Sequence, residues 1–315
     1  MRRANLDPNA SVRVVGRRAL RFEPDVAQRV GTGWVRSGSA LARFGERVML
    51  IQDDARWLTW LDAEGRLDAL PLPSDAWGAR LSHDKRRKPD FEAAVVVPGE
   101  PARLLVFGSG ALPAREGVVL LEAGGAPRVI QASSLYGALR RDERFVGAEL
   151  NLEGALVDGG QLLLCSRGNG APSAAGERFD ATVELDLAEV LAYLDAGASS
   201  AAPRLGRVER YCLGSVDGVT LTLTDASVRD GRRYYLAAAE ASADAIADGP
   251  VLGASFGLLT EQPRYALIES EDGSPLRDKV EGICPAASDD EWLAIVDADD
   301  PTRPADLLTL RSYGL

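Results

Sequence analysis

Four acidic residues and one serine occupy the same position in a pattern that recurs along the chain. In each copy a short strand of small apolar residues surrounds that position, a glycine-containing turn follows, and a strongly apolar strand comes next. The five positions are Ser39, Glu92, Glu153, Asp225 and Glu281. Carboxylates that are brought together cannot all stay ionised without a cation or shared protons. The pattern therefore predicts a charged site with Glu92 and Glu153 as candidate catalytic groups.

A metal ion is the first way to neutralise such a group of acids. Carboxylate oxygens are hard ligands that suit Ca²⁺ or Mg²⁺, so one of these ions is the expected cofactor. The predicted metal ligands are Glu92, Glu153, Asp225 and Glu281. The alternative is purely structural. In that case each acid accepts backbone N–H bonds from a neighbouring strand and holds the ring of strands together.

Basic and small polar residues near the acids form the predicted substrate-binding set. Lys88 precedes Glu92 by four residues, and two turns, 108–110 and 166–169, offer backbone amides close to guanidinium groups. This combination is typical of anion binding, although tight turns with surface arginines explain the same residues without a ligand. The set comprises Lys88, Ser109, Arg115, Arg167, Asn169 and Lys279.

The turns follow the second strand of each repeat, which raises the question of whether they open near the repeated acids. Further polar residues occur at these strand ends, namely Asp53, Asp54, Glu240 and Asp297. The sequence leaves open whether this second set shares a mouth with the first.

The chain has a single histidine, His83, which excludes sites that need two imidazoles. It lies in the charged run 82–88, shortly before the strand that carries Glu92. This place makes His83 a candidate general base at the rim of the site. A solvated charged loop is the alternative interpretation.

The spacing of the repeated positions predicts the fold that must hold them. Intervals of roughly 50 to 70 residues match four-stranded propeller blades with loop insertions. Further strands are predicted at 57–61, 66–72, 117–122, 128–132, 181–187, 207–213, 251–259, 264–269 and 306–310, and a helix at 187–194. We therefore predict one all-β domain, residues 1–315, folded as a five-bladed β-propeller. The apolar run 12–20 would supply the missing strand of the last blade. A six-bladed ring, with residues 1–35 as a degenerate extra unit, is the alternative.

Composition limits the possible partners. The chain has 36 Lys and Arg against 47 Asp and Glu, a net charge of −11. This charge argues against nucleic acid and anionic membranes and favours cationic ligands. The arginines beside the two turns make a small-molecule or anionic ligand the expected partner of the site. The three scattered cysteines indicate a reduced, cytoplasmic protein, and no segment resembles an export signal or membrane span. We expect a monomer.

Several short motifs together resemble a known group of proteins. They are residues 88–92, 108–110 with Arg115, 152–154, and 279–282 with 297–300. The chain resembles an uncharacterised bacterial β-propeller family, distantly similar to the esterase-like phytase and SdiA-regulated propellers, over about residues 35 to 312. Ser39 replaces the first acid of the pattern, and Asp225 lacks the glycine that follows the acid in the relatives.

The resemblance implies calcium and the hydrolysis of esters or phosphate esters. In this hypothesis a divalent ion polarises the ester or activates water, and Arg115 and Arg167 hold the anion. A non-catalytic scaffold that binds a ligand or a protein is the main alternative. A lyase or lactonase would differ from the first hypothesis mainly in its substrate.

Overall fold

The N-terminal segment forms three strands and a helix before the repeats begin. In this computed structural model the described residues are 1–73, 88–147, 149–168, 179–241, 249–298 and 300–315. The first elements are β1 (Arg2–Arg3), β2 (Asn5–Leu6), β3 (Ser11–Ala19) and α1 (Pro24–Val30). Helix α1 begins at a proline, whose fixed φ suits the first turn, and ends at Gly31 in the left-handed region.

Each copy of the repeat forms consecutive antiparallel strands. The first unit contains β4 (Gly38–Phe44), β5 (Arg47–Gln52), β6 (Trp57–Leu61) and β7 (Leu67–Pro71). The second contains β8 (Phe91–Val97), β9 (Arg103–Gly108), β10 (Gly117–Glu122) and β11 (Arg128–Gln131), followed by α2 (Ser133–Arg141). The third contains β12 (Leu152–Asp158), β13 (Gln161–Ser166), β14 (Asp180–Asp186), α3 (Leu187–Asp195) and β15 (Leu205–Cys212).

The remaining strands complete the chain. A small hairpin comes first, β16 (Ser215–Val216) and β17 (Val219–Thr220). The fourth unit contains β18 (Thr222–Arg229), β19 (Arg232–Glu240), β20 (Val251–Leu258) and β21 (Arg264–Glu269). The last unit contains β22 (Lys279–Pro285), β23 (Glu291–Asp297) and β24 (Asp306–Tyr313). The predicted later strands are thus confirmed in place and order, as is the inserted helix α3.

The N-terminal strand β3 supplies the fourth strand of the last unit. It runs antiparallel to β24 from Ser11 opposite Tyr313 to Ala19 opposite Asp306. The predicted pairing of these two segments is therefore confirmed. Upstream, β1 adds parallel to β15 and β2 adds parallel to β21, so residues 1–19 touch three successive units. These two-residue strands carry no periodic pattern, and sequence reasoning missed them.

The first strands of the units pack side by side in a closed cycle. Strand β4 lies against β8, β8 against β12, β12 against β18, β18 against β22, and β22 against β4. A Cβ on Gly282 of β22 would lie 2.6 Å from the Cα of Ala40 in β4. The glycine that follows the repeated acid therefore allows two backbones to approach each other closely. The result is a propeller-like all-β architecture.

The apolar strands of the repeat are buried because each unit packs on both of its neighbours. In β13, Leu162 and Leu164 face the apolar cluster shared with the second unit, whereas Leu163 and Cys165 face the cluster shared with the fourth. A strand that is covered on both faces has no polar side, which explains its unbroken apolar run. No helix among the described residues has the length and apolar character needed to cross a membrane.

Candidate charged site at the centre of the ring

The repeated position is a β-bulge in every first strand. At this point two residues of the first strand oppose one residue of the second strand, and the bulged residue has no partner across the ladder. The bulged residues are Ser39, Glu92, Glu153, Thr224 and Glu281. A bulge redirects the side chain of the extra residue, and bulges are frequent next to active sites. The backbone itself therefore sets the repeated side chains apart from the rest of each strand.

The structure corrects the predicted member from the fourth unit. Thr224 is the bulged residue there, and Asp225 takes the place that glycine holds at Gly154 and Gly282. The Asp225 carboxylate accepts the Ala226 N–H at 2.7 Å and the Ile283 N–H of the neighbouring first strand at 2.8 Å. Both Asp225 oxygens thus make the backbone contacts that the structural alternative predicts. The missing glycine after Asp225 was the signal for this shift.

Ser39 also holds neighbouring strands together. Its hydroxyl donates to the backbone carbonyl of Phe91 in the adjacent first strand at 2.5 Å. Asp180 acts similarly between the third and fourth units, because its Oδ1 accepts the Gly168 N–H at 2.9 Å and the Leu223 N–H at 3.0 Å. Burial raises the pKa of Asp180 to about 6, although these backbone donors oppose the shift.

Among the described residues, three acids form a close carboxylate cluster near the bulges. Asp53, Asp90 and Glu92 each place one carboxylate oxygen within 4.8 Å of the other two. We call these residues the acidic triad. Asp53 follows β5, and Asp90 and Glu92 lie at the start of β8. The backbone joins the two units here, because the Asp90 N–H donates to the Asp53 carbonyl at 2.9 Å.

Lys88 and Arg115 neutralise part of the acidic triad. The Lys88 ammonium forms an ion pair with Asp53 and another with Asp90 at 2.8 Å. Burial opposes a charged Lys88, but the surrounding carboxylates outweigh it and raise the pKa of the ammonium. Arg115 Nη1 lies 2.6 Å from Asp90 Oδ2, and Ser109 donates to the same oxygen. Asp90 therefore accepts from two basic groups and one hydroxyl.

Glu92 differs from the other members of the acidic triad. Its carboxylate makes no hydrogen bond or ion pair with any residue in the part of the chain that the structure describes. Burial raises the pKa of Glu92 well above its usual range, and Asp90 and Glu153 add to the shift. The side chain is only half-buried by surface area, so solvent still reaches it. A group of this kind favours a bound proton or a bound cation.

A second charged group surrounds Glu153. Asn151 donates to Glu153 Oε1 at 2.6 Å, and Arg167 Nη1 lies 3.6 Å from the same oxygen. Arg167 also bonds Glu240 at 3.1 Å and the Thr222 hydroxyl at 3.0 Å. Burial raises the pKa of Glu153 to about 8; Arg167 opposes this shift and the nearby Glu281 carboxylate adds to it.

The charged groups share one end of the ring. Glu281 acts on the pKa of Glu153, and Glu153 acts on that of Glu92, so the three bulged acids interact. Lys279 lies 3.5 Å from Glu281, which brings the last of the predicted basic residues into the same charged site. Two residues that follow second strands also lie beside bulged acids, since Asp53 is within 4.8 Å of Glu92 and Arg167 is 3.6 Å from Glu153.

The predicted anion-binding turn has internal partners. The N–H of Ser109 donates to the Asp90 carbonyl at 2.8 Å, and the N–H of Gly110 donates to the Arg115 carbonyl at 3.0 Å. Arg167 is 8% exposed and surrounded by the acids described above. Neither amide is therefore available to an anion. His83 and Asn169 lie outside the described residues.

The fold and the site define a propeller-like protein with a charged centre. The chain belongs to a family of unknown function, DUF6929, whose model matches residues 34–311. No curated protein matches the sequence.

Three solved structures illustrate what the fold is similar to. A structural-genomics protein of unknown function from Bacteroides thetaiotaomicron is 10% identical, with a TM-score of 0.47 over 96% of this chain and 76% of the other. A GH43 endo-arabinanase from Bacillus licheniformis is 13% identical, with a TM-score of 0.42 over 92% and 95%. A streptogramin B lyase is 10% identical, with a TM-score of 0.42 over 94% and 98%. These similarities assign no activity to the chain.

Proposed function

We propose that the protein binds a divalent cation, Ca²⁺ or Mg²⁺, at the acidic triad and hydrolyses an ester or phosphate ester beside it. The observation that carries this proposal is the mutual approach of carboxylate oxygens from Asp53, Asp90 and Glu92 within 4.8 Å. Hard cations take several such oxygens as ligands. The raised pKa of Glu92 adds support, because a nearby positive charge would relieve the cost of its ionisation.

The donor set fits such an ion, in competition with a residue of the chain. The Lys88 ammonium already stands between Asp53 and Asp90, so this position attracts positive charge. A divalent ion there would displace the ammonium and bring Glu92 into the ligand set. A bound ion would supply Lewis-acid polarisation of the ester.

Glu153 is the best proton donor of the site. With a pKa of about 8 it keeps its proton at neutral pH. Catalytic acids work best when their pKa lies near the working pH. Asn151 orients the carboxyl group through its bond to Oε1, and Arg167 stabilises the carboxylate that remains after proton transfer. Glu153 would protonate the departing alkoxide oxygen.

We further infer that the four-stranded units are five blades of a propeller that the N-terminal strand closes. The cyclic packing of the first strands, with β22 against β4, supports this count. The pairing of β3 with β24 supports the closure. Such closure removes exposed sheet edges.

A non-catalytic scaffold is the second candidate, and two observations favour it. The side chains of Asp225 and Ser39 form hydrogen bonds with the backbone of neighbouring first strands and hold these strands together. Lys88 and Arg115 also neutralise Asp90 without any ligand. In this case the charged centre stabilises the ring, and a ligand or protein binds elsewhere on the surface.

Turnover of p-nitrophenyl esters and p-nitrophenyl phosphate separates the two candidates. We expect hydrolysis that needs Ca²⁺ or Mg²⁺, stops with a chelator, and falls about 100-fold or more in Glu153→Gln. Glu92→Gln should also lose this cation-dependent turnover. Glu269→Gln is the matched control, because this carboxylate pairs with Arg13 on the outer strands. The hydrolase would be contradicted if the turnover rate is unchanged by chelator and by Glu92→Gln, or if neither substrate class is hydrolysed.

A further inference from the structure

A polar pocket of about 210 Å³ lies beside the first-strand ring in the last unit. The segment that leads into β22 and the segment that leads into β24 form its walls, with Val251 and the end of β23 at the side. Its charged lining residues are Arg277, Asp278, Lys279, Asp297, Arg303 and Asp306. Pockets that enclose a whole drug-sized ligand have about 300 to 1,000 Å³. This pocket therefore suits a small polar group of a ligand.

Part of the negative charge in the wall is neutralised by a residue outside the pocket lining. Arg17 of β3 forms ion pairs with Asp278 and, at 2.8 Å, with Asp306. One guanidinium group therefore holds both of these carboxylates. With Arg17 counted, four basic side chains stand against three carboxylates at this wall, in a protein whose net charge is −11.

The outer basic groups of the pocket have no such partners. Arg277 and Arg303 are exposed and form no ion pair with any residue in the described ranges. Asp300 lies three residues before Arg303, and its carboxylate is held by the Thr302 hydroxyl at 2.6 Å and the Thr302 N–H at 2.8 Å. These bonds, and more weakly the charge of Arg303, lower the pKa of Asp300. Two guanidinium groups thus border one pocket without a dedicated carboxylate.

The pocket adjoins the charged site. Lys279 contributes to its wall and also lies 3.5 Å from the bulged Glu281. Asp297 on the same wall forms a β-bridge with Ser37, whose carbonyl accepts the Asp53 N–H at 3.3 Å. The backbone at the pocket wall is therefore linked through Ser37 to Asp53 of the acidic triad.

We propose that this pocket binds the dianionic phosphate group of a small substrate through Arg277 and Arg303. Guanidinium groups bind phosphate oxygens through paired, charge-assisted hydrogen bonds. The sequence assigned anion binding to Arg115 and Arg167, but these two side chains form ion pairs with Asp90 and Glu153. Arg277 and Arg303 take over that role in this proposal. The link to catalysis rests on the proposed function, whereas phosphate binding itself does not.

Calorimetric titration with inorganic phosphate tests the pocket at fixed ionic strength and without divalent cations. We expect wild-type protein to bind phosphate and the double variant Arg277→Gln/Arg303→Gln to bind it at least about tenfold more weakly. Arg13→Gln is the matched control, because Arg13 is an exposed arginine of the same sheet that pairs with Glu269. Unfolding midpoints without phosphate confirm that each variant is folded. Undetectable binding by the wild type, equal binding by the double variant, or acetate binding as tight as phosphate would overturn the assignment.

Glu92→Gln separates the pocket from the proposed hydrolase. This variant should bind inorganic phosphate like the wild type while it loses cation-dependent turnover. Phosphate binding without any turnover supports the pocket and contradicts the hydrolase. Cation-dependent turnover without phosphate binding overturns the pocket and leaves the hydrolase standing.

Discussion

Acidic residues at nearly equivalent positions of the repeat make different contacts in different units. Asp225 gives both oxygens to backbone donors and holds two strands together. Glu153 shares one oxygen between an amide and a guanidinium group. The Glu92 side chain is half-buried and still reached by solvent, and two neighbouring acids raise its pKa further. The chemistry of each acid is thus decided by its local partners rather than by its place in the repeat.

The raised pKa of Glu153 predicts a specific dependence of stability on pH. The folded protein holds this proton up to about pH 8, whereas an ordinary glutamate releases it near 4.5. The contribution of Glu153 to the free energy of unfolding is therefore complete below 4.5 and is lost as the pH rises through 8. Glu153→Gln lacks this titration. We expect the variant to gain stability relative to the wild type as the pH rises.

Urea unfolding of the two proteins across this pH range measures the difference. Glu269→Gln controls for the loss of any carboxylate, because Glu269 is 43% exposed and pairs with Arg13. Parallel stability curves for the wild type and Glu153→Gln would show that the folded protein does not raise this pKa.

At the scale of the strands, sequence reasoning recovered the order and extent of most elements. The alternation of turns and apolar runs identified the later strands, and the helix at 187–194 agrees with α3, where the Asp186 side chain accepts the Glu189 N–H. Helices α1 and α2 were missed. The position of a bulge depends on the register between two strands, and the sequence of one strand does not reveal it. The prediction therefore assigned the repeated position to Asp225, whereas the bulged residue is Thr224.

The candidate site was predictable only in part for the same reason. Spacing along the chain identified Glu92, Glu153 and Glu281 as equivalent. It did not identify Asp53 as a member of the acidic triad, because that contact forms between two units. Nor did it reveal Arg277 and Arg303, which border a pocket made by separate segments.

The glycine after the bulge predicts a strong effect on stability. A Cβ at Gly282 would lie 2.6 to 2.8 Å from backbone atoms of Ala40 and Leu41 in the adjacent first strand. Gly282→Ala must therefore push two first strands apart, at a cost of about 1 to 3 kcal/mol in the free energy of unfolding. Gly33→Ala is the control, because a Cβ there meets no atom within 4 Å.

Urea denaturation of the two alanine variants measures this effect. Gly33→Ala should unfold close to the wild-type midpoint. Equal stability of Gly282→Ala and wild type would mean that β22 and β4 do not pack as closely as described.

At the scale of the molecule, the two ends of the chain meet in one sheet. Strand β3 pairs with β24, and Val12 and Val14 of β3 belong to the apolar cluster between the last two units. The ion pairs of Arg2 with Glu209 and of Asp7 with Arg264 fasten the preceding residues to the third and fourth units. The N-terminal segment therefore connects several units and holds the charged centre in a closed ring.

The most direct test of the cation site is the thermal unfolding midpoint of chelator-treated protein with and without millimolar Ca²⁺ or Mg²⁺. A ligand that binds only the folded state stabilises it by mass action, so we expect the wild-type midpoint to rise by about 3 °C or more. Glu92→Gln should lose most of this rise, and Glu269→Gln should keep it. A wild-type midpoint that neither ion changes would contradict the cation site, and the charged centre would then be a structural feature of the ring.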